Sequence, residues 1–173
     1  MNSAYVYLQI YKLFDSCTPI KADCGQLCDK ACCKGDDDCG MYLFPGEKEV
    51  YKLLSPDWVK IEQSDFTYMA DNKEHSVPIA LCSGVCDRFQ RPLACRIFPL
   101  TPYINSDGVL DIIVDPRAKR LCPLSRVFSL DEFERDFVSK TESVFRLLTK
   151  NRYVREFIKE HSRYIDDFAK FYK

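Results

Sequence analysis

The sequence predicts an α+β protein of one domain: a loop-rich cysteine core carrying metal, a small hairpin or short strands, and helices at the C-terminus. Three features predict it. Ten cysteines occur in 173 residues, most of them in two polar segments, 24–39 and 82–95. The stretch "YINSDGVLDIIVD" (103–115) sets apolar strand formers on either side of an Asn-Ser-Asp-Gly turn. From Ser129 onward the apolar residues recur at helical spacing. Residues 1–173 read as a single domain, with 17–125 a cysteine-cluster metal-binding module and 126–173 a helical segment. Internal repeats, low-complexity tracts and a Gly-, Ser- or Pro-rich linker are all missing from the sequence.

The elements follow in order. Residues 4–14 are helix-compatible, with Val6, Ile10 and Leu13 on one face. "FPGEKEVYKLL" (44–54) reads as a short helix with Pro45 near its start and Glu47 and Glu49 in its first turn. "WVKIE" (58–62) and "FTYM" (66–69) read as short strands around a "QSD" turn. Pro92 suits the first turn of a short helix carrying Cys95. "SLDE" is a capping box, Ser129 as N-cap and Glu132 three residues on. Leu130, Phe133, Phe137, Val144, Phe145 and Leu148 then form one stripe. Tyr153, Val154, Phe157, Ile158, Tyr164, Ile165, Phe168, Phe171 and Tyr172 form another. Core packing against the cysteine module is the expected use of both.

Composition narrows the function. Basic and acidic residues balance, 25 against 26, so charge gives no case for nucleic acid or an anionic membrane. No apolar run is long enough to span a bilayer. The N-terminal "MNSAYVYLQIYKLFDSC" lacks a basic n-region and a small-residue cleavage site. The cytoplasm is therefore the expected compartment, and there thiols stay reduced rather than forming disulfides.

Cys17 stands apart beside an aromatic segment and reads as a small buried hydrophobe. The others fall into two sets: Cys24, Cys28, Cys32, Cys33 and Cys39, then Cys82, Cys86, Cys95 and Cys122. Four thiolates satisfy tetrahedral Zn²⁺, and nine cysteines exceed what one such ion uses. C-x3-C spacing brings two sulfurs together within a turn. Neighbouring side chains diverge, so Cys32 and Cys33 are expected to serve two metals or opposite sides of one cluster. Arg88, Arg91 and Arg96 around Cys86 and Cys95, with Lys30 and Lys34 around the vicinal pair, favour the thiolate form. Asp36–Asp38 oppose it for Cys39, the weakest ligand of the first set. Their own reading is a solvated acidic loop rather than carboxylate ligation. Zinc in a structural role is the expected cofactor, at more than one site. An iron–sulfur cluster with a redox or methyl-transfer-related role is the alternative, although neither set has the spacing of the common bacterial ferredoxin run. Cysteines of the two sets are expected to share at least one metal.

The order of a cluster ending in "CC", a Glu-containing helix and then "RPLACRIFP" resembles the YkgJ-type cysteine-cluster family. Arg91, Pro92, Cys95, Arg96, Phe98 and Pro99 match its R-P-x-x-C-R-x-F-P segment. Cys82 and Cys86 resemble the paired cysteines before that segment, and Cys24, Cys28, Cys32 and Cys33 its opening CxxCxxCC motif. The opening gaps here are three residues rather than two. The resemblance spans residues 20–125 and implies chelation of zinc or iron.

No catalytic set emerges. P-loop, dinucleotide, H-E-x-x-H and G-x-S-x-G motifs are missing from the sequence. His75 and His161 lie in polar stretches and read as surface residues. A zinc closed by four thiolates has no position for water. Three uses stay open: metal staples in a protein that binds a macromolecular partner, a redox or methyl-transfer cluster, and metal storage or delivery.

Overall fold

A computed structural model describes residues 3–33, 40–84 and 86–171. The architecture is α+β, with two antiparallel sheets and helices at both ends of the chain. Cys39, Lys34 and Asp36–Asp38 lie outside the described residues, as does Tyr172. Among the described residues no helix is long and apolar enough to cross a membrane.

Helix α1 (Ser3–Leu13) buries Ala4, Tyr7, Ile10 and Tyr11, while Leu13 is exposed. The expected Val6–Ile10–Leu13 face is therefore rotated. Two tyrosine rings claim the core because their hydroxyls find partners there. Tyr7 donates to the Pro45 carbonyl at 3.1 Å and Tyr11 to Glu47 Oε1 at 2.6 Å. A one-turn helix α2 (Cys24–Leu27) follows, capped by Asp23, whose side chain accepts from Gly25 N. Helix α3 (Lys48–Leu54) starts later than expected, because Pro45–Glu47 form a turn in which Gly46 has φ +90°.

The larger sheet has the order β1 (Gly40–Tyr42), β3 (Lys73–Cys82), β2 (Val59–Ala70). The two short strands expected at 58–62 and 66–69 are one strand, and "QSD" is an irregularity within it. The register shifts between Gln63 and Thr67. Ser64 Oγ donates to the Val77 carbonyl at 2.7 Å, holding the pair together across the bulge. The real turn is Asp71–Asn72, both with positive φ, as a two-residue hairpin requires.

The second sheet is the expected hairpin, β4 (Leu100–Ile104) with β5 (Leu110–Val114). Asn105 Oδ1 organises its turn by accepting from Asp107 N and Val109 N. Between the hairpin and the C-terminal helices, helix α5 (Leu124–Val127) is a single turn. Glu132 does accept from Ser129 N at 2.7 Å, but this box closes a single 3₁₀ turn (Leu130–Glu132). Helix α6 (Arg135–Leu148) begins beyond it and buries Phe137, Val144, Phe145 and Leu148. Helix α7 (Arg152–Phe171) buries Val154, Phe157, Ile158 and Ile165 and packs on β2 and β4. Phe171 is 84% exposed. The core thus sits between these helices and the sheets, with Phe44 touching both Phe145 and Phe157.

Candidate functional site

The segment bearing the first cysteines has almost no core of its own. Neither α2 nor the 3₁₀ turn Ala31–Cys33 contains a buried residue. Its path is set locally. Asp29 and Lys30 both have positive φ, a conformation costing non-glycine residues about 1 kcal/mol or more each. Lys30 N donates to the Gly25 carbonyl at 2.8 Å and Cys33 N to the Lys30 carbonyl at 2.7 Å. The chain so doubled back sets Cys32 where Cys24 and Cys28 act on it. Cys28 Sγ contacts the Cys24 carbonyl at 3.5 Å, and the Cys32 and Cys33 sulfurs lie 4.0 Å apart, so within the 3₁₀ turn the vicinal side chains do not diverge as expected.

The second segment is fixed from beneath. Helix α4 (Leu93–Ile97), which carries Cys95, follows Pro92 as the sequence suggested. Its first N–H, on Leu93, donates to Glu47 Oε1 at 2.7 Å. Glu47 is fully buried and also accepts from Phe44 N at 2.9 Å and from Tyr11. Burial raises its pKa, opposed by these donors and by Arg96.

Arg96 does not face the thiols as expected. It is buried, stacks over the Tyr11 ring at 4.4 Å, and donates to Tyr11 O, Asp15, Arg91 O and Arg88 O. It ties the 88–91 turn to α1 and so presents the side chains of Arg88 and Arg91. Tyr51 and Trp58 hold the same turn through Gln90.

Arg91 meets the sulfurs directly, its Nε donating to Cys86 Sγ at 3.3 Å. Its charge also acts on Cys33 and Cys95. The Gly84 turn packs against the first segment: a Cβ there would stand 3.1 Å from the Cys33 carbonyl, and its φ is +84°. Cys122 follows a turn (Pro116–Arg120) capped by Asp115. The Cys122 N–H donates to Ala118 O at 2.7 Å and its carbonyl accepts from Ser125 Oγ.

Eight of the nine expected ligands are described, and the thiols of the two segments act on one another. Burial raises Cys24, helped by Cys122 and Cys28 and opposed by Arg88. Burial raises Cys82, helped by Cys86 and Cys33. Burial also raises Cys95, which Arg91 opposes and Cys33 and Cys86 reinforce. Within the vicinal pair the contact with Cys33, and burial next, raise Cys32, and either sulfur can be the donor of the hydrogen bond between them. That hydrogen bond, with Arg91 and Lys30, brings Cys33 down to about 6. Among the described residues, no three His, Cys, Asp or Glu side chains stand close enough to grip one ion. The donor chemistry suits a thiophilic ion, and the sulfurs are gathered without being closed on a point.

Cys17 is buried, its Sγ 3.7 Å from Asp136 Oδ2, and serves the core as expected. The histidines correct the surface reading. His161 is buried and takes a hydrogen bond on Nε2 from Arg117 at 2.9 Å, while His75 is half-buried and stacks on Tyr68. Sequence reasoning also missed Glu47 as the anchor of α4; its position directly after Pro45–Gly46, outside the helix, was the available signal. A groove of about 350 Å³ on the larger sheet is lined by residues such as Tyr42, Glu62, Ser64 and Phe66 and contains no cysteine.

No protein-family model, curated protein or solved structure matches the chain.

Proposed function

We propose that the chain is a cysteine-cluster metal-binding protein holding more than one zinc ion in a structural role. One observation carries this reading. Thiols from the 24–33 and 82–95 segments and from Cys122 act on one another across the chain, and the elements around most of them, α2 and the turns 31–33 and 88–90, contribute no buried residue. Reactive sulfur placed outside the core is not there for packing, and eight thiols with nearby cations suit soft divalent ions. The resemblance to the YkgJ-type family points the same way.

When bound, zinc supplies a charge-dense tetrahedral cross-link, and each thiol releases its proton to solvent on ligation. The chain's own residues do the rest. Arg91 donates to the Cys86 sulfur, Lys30 and Arg91 favour the thiolate at Cys33, and Glu47 and Arg96 hold the loop that carries Arg91. Elemental analysis after anaerobic purification tests the reading. More than one zinc per chain, in a colourless protein with protected thiols, is the expected result. One metal or fewer, with most thiols freely titratable, refutes it. A brown protein containing iron and sulfide assigns the sulfurs to an iron–sulfur cluster instead.

A further inference from the structure

We propose that the eight described cysteines outside the core divide into two four-thiolate sites that cross the sequence: Cys24, Cys28, Cys32 and Cys122 in one, Cys33, Cys82, Cys86 and Cys95 in the other. This pairing rests on the metal-binding reading above and adds to it which sulfur serves which ion. The vicinal pair is where the sites adjoin.

Three observations separate the sets. The turn through Asp29 and Lys30 sets Cys32 back over Cys24 and Cys28, and the Cys28 sulfur already leans on the Cys24 carbonyl at 3.5 Å. The Cys33 carbonyl lies against the Gly84 turn, and the Cys33 thiol acts on Cys82 and Cys95 while its sulfur stays 4.0 Å from that of Cys32, where the two sites adjoin. Arg91 contacts Cys86 and acts on Cys33 and Cys95, so one guanidinium serves three sulfurs of the second set. In the first set, Cys122 is the thiol that acts most on Cys24, and Arg88 stands on that side.

Charge favours the same division. A divalent ion in four thiolates carries two excess negative charges, and a site needs a cation to hold them in a partly dry setting. Crossed sites give Arg91 to one and Arg88 to the other. Sequence-local sites would instead close Cys24, Cys28, Cys32 and Cys33 on one ion. That arrangement separates Cys33 from the loop it packs against and draws Cys122 away from Cys24 to complete the other site. Crossing also does structural work, because each ion then fastens the first segment to a distant part of the chain.

The test uses the full chain loaded with ¹¹³Cd²⁺. Two cadmium resonances of thiolate type are expected. A cadmium–proton correlation on the unaltered protein should couple one to the β-protons of residues 24, 28, 32 and 122, and the other to those of 33, 82, 86 and 95. Cys32→Ser and Cys122→Ser should lose or shift the first resonance, Cys33→Ser and Cys86→Ser the second, and Cys39→Ser neither. Loss of one resonance by both Cys32→Ser and Cys33→Ser overturns the pairing while leaving metal binding intact. So does a sulfur-bridged cluster in which every variant disturbs both signals. No bound cadmium with free thiols overturns the metal-binding reading itself. The correlation on unaltered protein decides the pairing even where a variant fails to fold.

Discussion

Leu93 N donates to Glu47 Oε1 at 2.7 Å, so a carboxylate 46 residues upstream starts the helix that carries Cys95. The same carboxylate accepts from Tyr11 and Phe44 N, which joins α1, the 44–47 turn and α4 at one buried point. Removing it strands three donors in a dry interior and leaves the Arg96 charge with less to oppose it. Glu47→Leu should cost about 3–5 kcal/mol, the range for breaking a buried charged network. Glu47→Gln keeps an acceptor and should cost about 1–3 kcal/mol. Denaturant unfolding of both variants checks the order. Equal, small losses would show that the network does not hold the fold.

Much of the fold was legible from pattern, and the exceptions have physical causes. The 100–114 hairpin was readable because Asn105 and Gly108 meet the demands of its turn. Strand β3 was not, because "KEHSVPIALC" opens with charges and contains Pro78, which removes a donor. The "QSD" triplet has turn composition yet forms a bulge, since the flanking apolar residues can reach one continuous partner. In the site, the cysteines were visible by spacing. The neighbours of Cys33 were not, since they depend on where Glu47, Arg96 and Gly84 set the 82–95 loop, and those contacts span long stretches of chain.

His161 makes stability sensitive to acid. Its Nε2 accepts from Arg117, which can only donate, so the proton sits on Nδ1, a buried atom with no partner among the described residues. Burial, with Arg117 next, lowers its pKa from 6.5 to about 3. The unfolded chain therefore takes up a proton that the folded chain refuses. The contribution is complete above pH 6.5 and is lost as the pH falls from there toward 3, with a slope approaching about 1.4 kcal/mol per pH unit. His161→Phe should flatten unfolding free energy against pH between 6 and 4, even though it leaves Arg117 short of an acceptor at neutral pH. An unchanged slope in that variant assigns the acid sensitivity to other groups.

Arg91 should control one set of thiols more than the other. Its Nε donates to Cys86 Sγ, and its charge favours thiolate at Cys33 and Cys95. Arg91→Ala should weaken metal retention at those sulfurs by roughly 10–100-fold, as loss of a supporting partner around ligands usually does. Arg91→Lys keeps the charge without the planar fork and should recover part of it. Competition with a chromophoric chelator reads the two affinities separately. A uniform loss at every metal in Arg91→Ala would point to general loosening of the loop instead.

Metal removal should loosen the cysteine segments well before it unfolds the core. Many of the largest buried side chains, among them Tyr11, Phe137, Phe145, Phe157 and Ile158, belong to α1, α6 and α7, and Leu93 alone of the largest comes from a cysteine segment. They keep their packing without metal. Short-range hydrogen bonds such as Lys30 N to Gly25 O and Ala31 N to Cys28 O run through the 24–33 stretch. Those bonds sit in a segment with two strained residues, so little opposes opening once the cross-links are gone. Hydrogen exchange after chelation should rise at least tenfold at Lys30, Ala31, Cys33 and Gln90. The β2–β3 ladder should stay within a few-fold of its starting protection. The melting temperature should fall as well, at roughly 2–4 °C per kcal/mol lost for a chain of this size. Unchanged exchange in 24–33 after verified removal of metal would show that the segment is held by something other than its sulfurs.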